Sequence, residues 1–275
     1  MTTMTLPVIG AALPVDALPE YRDWLFDKDR DLEVQSFHDP ELLRGDGWRD
    51  VAERARDLLA GFNGRLGIHG PFVGLSLNAP DPDVRAIVTR RLMTGLDACG
   101  VLDARQMVVH SPYTTWDHHN LDSHPGVRDD VIAQVHATLA SVVRRAEDQG
   151  VTLVMENIED VDPAERLRLV DSFGSDALKL SIDTGHAHYA HGITRAGPVD
   201  HVVRAAGAGL AHVHLQDADG YADRHWAIGR GTIRWHEVFR ALADLPQRPH
   251  LVLELRDVAD VRPSMRWLEA HGLGQ

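Results

Sequence analysis

Among the 17 histidines and 41 acidic residues of this sequence, nine stand at positions and spacings that could bind divalent metal ions. Six of them, His69, His110, Glu156, Asp183, His214 and Glu254, each sit at the end of a short apolar run. His186 follows Asp183 by three residues in DTGH, where a turn could bring both onto one ion. Asp223 and His225 lie two apart in DRH and would face the same side of an extended chain. Imidazole nitrogen mixed with carboxylate oxygen suits zinc, manganese or iron, whereas an all-oxygen set would suit magnesium or calcium. Glu156 follows VTLVM and Glu254 follows LVL, so each ionised carboxylate lies beside buried surface and needs a cation or several donors. Plainer readings exist. A histidine at a strand end can be a hydrogen-bonded structural residue, Asp183 can cap the turn that follows it, and Asp223 and His225 can be solvated loop residues.

The elements that must position these residues are eight apolar runs: LPVIGAAL near residue 6, LEVQSF from Leu32, RLGIHG from Arg65, QMVVHS from Gln106, TLVMEN from Thr152, LKLSIDT from Leu178, LAHVHLQD from Leu210 and HLVLEL from His250. Their length and Val, Ile and Leu content make them strands. Between them lie stretches with helical spacing, among them DVAERARDLLAGF, DVRAIVTRRLMTGLDACG, RDDVIAQVHATLASVVRRAEDQG, PAERLRLVDSF, PVDHVVRAAGAG and WHEVFRALADL, with ALPEYRDWLF a weaker case. The repeated βα alternation predicts an α/β fold, a single (β/α)8 TIM barrel spanning residues 1–275 as one domain. Parallel strands share their C-terminal end, so the strand-end ligands would meet at one rim of such a barrel.

Other polar and aromatic residues fall around that rim. The loop SPYTTWDHHNLDSHPG after the fourth strand suits a wall or lid; Trp116 within it could stack on a substrate, and His118, His119 and His124 are expected to face solvent. His188, just past DTGH, is assigned to the substrate side or to supporting the ligands, and Asp217 after strand seven to supporting them. His212, in the strand HVH, is expected to point away from His214, towards the helices.

Composition narrows the function class. The 44% hydrophobic and 25% charged content is ordinary for a water-soluble protein, and no apolar run approaches the roughly 18 residues that span a bilayer. The segment MTTMTLPVIGAALP lacks the pattern of a secretory signal, so a cytoplasmic location is the default expectation. One cysteine, Cys99, excludes an internal disulfide framework. A formal charge of −13 counts against a nucleic-acid partner. The exposed helices of a barrel could support a homodimer.

The motifs HGPF at His69, VVHSPY at His110, MENIED at Glu156, SIDTGHAH at Asp183, HVHLQDADG at His214, DRHWAIGRGTIRW at Asp223 and LVLEL at Glu254 together resemble the xylose isomerase-like TIM-barrel superfamily. That superfamily holds sugar-phosphate isomerases and epimerases as well as the endonuclease IV type of apurinic-site nuclease. The ketose 3-epimerase resemblance implies one divalent ion on Glu156, Asp183, His214 and Glu254, with His186 contacting substrate and the two glutamates exchanging protons with the sugar. The endonuclease IV resemblance implies three zinc ions on all nine positions. The expected activity is isomerisation or epimerisation of a small sugar, sugar phosphate or polyol derivative, dependent on one to three ions of zinc or manganese, with iron as a further option. The alternative is a zinc-cluster phosphodiester hydrolase.

Overall fold

A computed structural model describes residues 6–275; the first five, which begin the segment read for a secretory signal, lie outside it. Eight strands, β1 (Gly10–Leu13), β2 (Leu32–Val34), β3 (Leu66–His69), β4 (Gln106–His110), β5 (Thr152–Glu156), β6 (Leu178–Asp183), β7 (Leu210–Leu215) and β8 (His250–Leu253), form a closed barrel in sequence order. Every pairing is parallel, and Gly10 and Ala11 of β1 close the ring against Val252 and Leu253 of β8. The (β/α)8 architecture expected from the alternation is therefore present.

Among the described residues ten α-helices accompany the strands: α1 (Leu18–Asp27), α2 (Gly47–Leu58), α3 (Pro82–Leu102), α4 (Thr115–Asn120), α5 (Val127–Gln149), α6 (Pro163–Asp171), α7 (Thr184–Ile193), α8 (Val199–Ala206), α9 (Trp235–Ala243) and α10 (Val261–Ala270). Local chemistry sets several starts. Asp81 and Asp162 cap α3 and α6 by accepting from the amides of Asp83 and Ala164, and each is followed by a proline in the first turn, where the missing N–H costs nothing. The apolar faces of α3 and α5 pack on each other and on the barrel through Leu92, Leu96, Val135, Leu139 and Val142, all buried. No helix among the described residues is long and apolar enough to cross a membrane.

Two departures from the sequence expectation bear on the rim. The second run does not continue as a strand to Phe37; it stops at Val34 and turns through a 3₁₀ helix, Gln35–His38, where Gln35 reaches across to Glu254. Between β6 and β7 the register slips by one residue, so that Leu180 faces Leu210 but Ser181 faces His212 and Asp183 faces His214. A bulge of this kind re-aims side chains. Here it sets His212 beside Ser181, and His212 and His214, two apart on one strand, both lie buried inside the barrel.

Candidate metal centre

The strands deliver their terminal side chains to one rim. His110 pairs in register with Glu156, and Asp183 with His214, while Glu254 is the first residue past β8. Among the described residues five groupings result, in each of which the candidate ligand atoms lie within 4.8 Å of one another: Glu156, Asp183, His214 and Glu254; His69, His110 and Glu156; His186, Asp223 and His225; Glu33, His212 and His214; and Glu33, His69 and Glu254. All nine residues singled out from the sequence are thus gathered at one end of the barrel. Depth separates them. The set of four is buried, whereas Asp223 in the outermost group has 46% of its side chain exposed.

Two atoms in the buried set decide whether these residues fit a metal ion. Glu156 Oε2 and Asp183 Oδ2 are shielded from solvent and have no hydrogen-bond partner. His110 Nε2 lies 3.5 Å and His69 Nε2 3.8 Å from Glu156 Oε2, distances that make ion-pair contacts but no hydrogen bonds. Buried carboxylate oxygens are costly unless a cation or donor meets them, so this donor set fits a divalent ion. Asp183 also performs the capping role that the sequence left open: its Oδ1 accepts from the His186 amide at 2.7 Å, starting α7, while Oδ2 remains free.

The histidines are aimed by what their other nitrogens touch. His69 Nδ1 lies 2.8 Å from the carbonyl of Gly70, His186 Nδ1 2.9 Å from that of Asn157, and His225 Nδ1 3.1 Å from that of Glu254. A carbonyl only accepts, so each Nδ1 carries a hydrogen and each Nε2 is left for the carboxylates or for an ion that displaces any proton there. His225 is further held in left-handed backbone at φ 49°, with its amide donating to Gln216 Oε1 at 2.8 Å and its carbonyl accepting from the Arg256 amide. A non-glycine residue in that region is uncommon and persists where its surroundings over-determine it.

Burial and charge set the protonation states of the ion-free site. Burial disfavours the imidazolium of His214, but Glu254, Glu33 and Glu156 around it hold its pKa well above the ordinary value. His186 is raised well above the ordinary value in the same way, by Asp183, Asp223 and Glu156. Burial would likewise raise Glu156, yet His214, His110 and His186 hold it well below the usual carboxylate range. Glu254 goes the other way: burial pushes it up to about 7 despite His214 and His225. His110, with burial dominant, falls to about 3. His225 is lowered by burial but raised more by its bond to Asp223 and by Glu254, ending at about 9.

The His225 shift gives a testable pH dependence. A histidine whose pKa is raised above its unfolded value of about 6.5 stabilises the fold fully below that pH and loses the contribution as pH rises through 9. With Asp223 half-exposed and therefore screened, about 1–2 kcal/mol of ion-free stability should disappear between pH 6.5 and 9. Urea unfolding in excess chelator across that window measures it, and a flat profile would contradict the pairing.

Several residues that build the site escaped the sequence reading. Glu33, on β2, lies 3.0 and 3.1 Å from His214 Nε2 through its two oxygens. Gln216 is fully buried and donates through Nε2 to Asp183 Oδ1 at 3.1 Å and to Asp223 Oδ1 at 3.0 Å, tying the inner set to the outer one. Gly185 makes room for it, since a Cβ there would meet the Gln216 side chain at 2.1 Å. Asn157 clamps Asp183 through both its amide and its carbonyl. Arg166, buried on α6, pairs with Asp160 at 3.0 Å and donates to the carbonyls of Met155 and Ser181, securing β5 to β6 behind Glu156. Asp217 takes the supporting role considered for it: its oxygens accept from the amides of Ala218, Gly229 and Ile233 and from Trp235 Nε1, folding the loop that carries Asp223 and His225.

Other expectations are corrected or displaced. His212 does not point to the helices; residues two apart in a strand share a face, and His212 is buried inside the barrel against Ser181 and Glu33. His118 is not turned wholly to solvent but accepts from the Asp162 amide at 2.9 Å, pinning α4 to the loop after β5. His188 meets Thr232 at 2.8 Å in the loop after β7 and is not among the clustered ligands, and Trp116 on α4 is 76% exposed.

With this geometry in place, the likenesses to known proteins become informative. Residues 31–271 match the family described as xylose isomerase-like TIM barrel. A protein from Thermus thermophilus, solved after soaking with zinc chloride, is 30% identical with a TM-score of 0.71, covering 97% of this chain and 99% of that one. A D-tagatose 3-epimerase-like protein is 22% identical with a TM-score of 0.76, covering 96% of each chain. The D-psicose 3-epimerase of Ruminiclostridium cellulolyticum is 24% identical over 194 residues, which is 68% of this chain and 61% of the epimerase.

Proposed function

The chain belongs to the xylose isomerase-like TIM barrel family, and from that membership we propose that it is a divalent-metal-dependent isomerase or epimerase of a small sugar, sugar phosphate or polyol derivative. The observation that carries this reading is the convergence of Glu156, Asp183, His214 and Glu254 within 4.8 Å, with two carboxylate oxygens left without partners. Sugar epimerases among its relatives support the substrate class.

These four residues would hold the ion. When bound, such an ion supplies Lewis acidity to an α-hydroxycarbonyl, lowering the pKa of the adjoining C–H. The two glutamates are tuned apart, the arrangement expected of a base and an acid. Glu156, kept ionised by the surrounding histidines, takes the proton from carbon; Glu254, titrating near 7, returns one. Gln35 donates to Glu254 Oε1 at 2.6 Å, which orients the carboxyl and leaves Oε2 facing His214 and His225. Protons lost to either glutamate exchange with solvent between turnovers. Metal-loaded protein in D2O should therefore place deuterium beside the carbonyl of at least one member of a panel of ketoses and inososes. No incorporation across the panel would remove the main support for the reading.

A second reading, a zinc-cluster phosphodiester hydrolase, is favoured by one observation: His69, His110, His186, Asp223 and His225, beyond the needs of a single ion, complete two further ligand groups. Zinc-dependent incision of an abasic-site oligonucleotide, without deuterium exchange into sugars, would move the assignment there.

A further inference from the structure

We propose that Glu33 is a positioning residue that fixes the tautomer and tilt of His214, so that His214 offers Nδ1 to the ion. The inference rests on the metal-dependent reading above. It starts from an asymmetry among the histidines. In His69, His186 and His225 a backbone carbonyl accepts from Nδ1, although His186 Nδ1 also lies 3.8 Å from Glu156 Oε1 and His225 Nδ1 3.6 Å from Glu254 Oε2. His214 is reversed: Nδ1 faces the rim, 2.8 Å from Glu156 Oε1 and 3.4 Å from Glu254 Oε2, and Nε2 points down the barrel. No carbonyl meets that nitrogen. The carboxylate of Glu33 does, from a strand across the ring, 181 positions away in sequence.

Glu33 is buried where its carboxylate reaches His214. It lies one layer below the rim, 2% exposed. His212 Nε2 is 3.2 Å from Glu33 Oε2 without meeting the geometry of a hydrogen bond, while its Nδ1 contacts Ser181 Oγ at 2.8 Å. The directed bonds of Glu33 therefore go to His214. A carboxylate accepting from the remote nitrogen of a ligand histidine raises the basicity of the ligating nitrogen and locks its orientation. Buried ionic residues can often be replaced by apolar ones of similar volume without loss of stability, and without Glu33 the ring of His214 would be directed by Glu156 alone.

Two measurements test this on the full chain. Chelator-competition titrations with zinc should show that Glu33→Gln keeps the number of bound ions but weakens binding at the His214 site about 10–100-fold, the usual effect of losing such a partner, with circular dichroism unchanged. Equal affinity would overturn the proposal, as would loss of one ion per chain, which would make Glu33 a ligand. Should the variant not fold, long-range ¹H–¹⁵N spectra of the zinc-loaded native protein decide: hydrogen on His214 Nε2 with zinc on Nδ1 is expected, and zinc on Nε2 overturns it. A native protein that binds no zinc at His214 sinks the underlying reading instead, a result separable from all of these.

Discussion

Glu156→Gln is expected to lower proton exchange by about a thousandfold, the middle of the range for removing a general base, while the protein still folds. Glu156 is the residue on which the groupings converge, shared by the set of four and by the His69–His110 pair. The glutamine keeps the volume and can still place an oxygen near His214 Nδ1, so the barrel end need not collapse. What it loses is the ability to take a proton. His214 and His186 are held charged partly by that carboxylate, and in the variant each loses one of three acidic neighbours. Single-turnover exchange measurements distinguish loss of chemistry from loss of the ion, provided bound metal is quantified in the same samples. A variant that retains its ion and exchanges within tenfold of the native rate would remove Glu156 from the base role.

Adding ion to the chelated protein is expected to raise its melting temperature by roughly 5–10 °C, and Asp183→Asn to abolish that gain. Five buried or half-buried acidic groups, Glu33, Glu156, Asp183, Asp223 and Glu254, meet at the barrel end. An ion at a hundred times its Kd contributes about 2.7 kcal/mol, and each kcal/mol moves the midpoint of a protein of this size by about 2–4 °C. Asp183 separates this effect from ordinary stability because its two oxygens do different things. Oδ1 caps α7 and Oδ2 is unpartnered. Asparagine caps a helix about as well as aspartate, so the ion-free variant should melt close to the ion-free native protein. Differential scanning calorimetry with and without zinc or manganese gives both comparisons; an ion-induced gain that survives in Asp183→Asn would place the ion elsewhere.

How far the site could be read from residue order alone follows from where its parts lie. His69, His110, Glu156, Asp183, His214 and Glu254 stand at the ends of apolar runs, and a parallel barrel brings such ends together whatever its detailed register. Glu33 sits inside its strand, and its bond to His214 exists only because closure sets β2 across from β7. A charged residue at the centre of LEV, in a strand bound for a barrel interior, was the available signal. The expectation for His212 fails on strand alternation itself, since residues two apart share a face, and the bulge that seats it beside Ser181 has no mark in the sequence. Gln216 was invisible because an amide beside a ligand histidine has no distinctive chemistry until the loop through Asp223 folds back over it. Helix α4 was hidden in polar sequence although Thr114 and Asp117 form a capping box, and α10 was obscured by Pro263, which its first turn accommodates.

Anomalous diffraction from crystals grown with manganese or zinc tests the central claim most directly. A peak bounded by Glu156, Asp183, His214 and Glu254 is the expected result, with further peaks at the His69–His110 and His186–Asp223–His225 groups favouring the hydrolase. Crystals bathed in excess ion that show no density among those four side chains would contradict it.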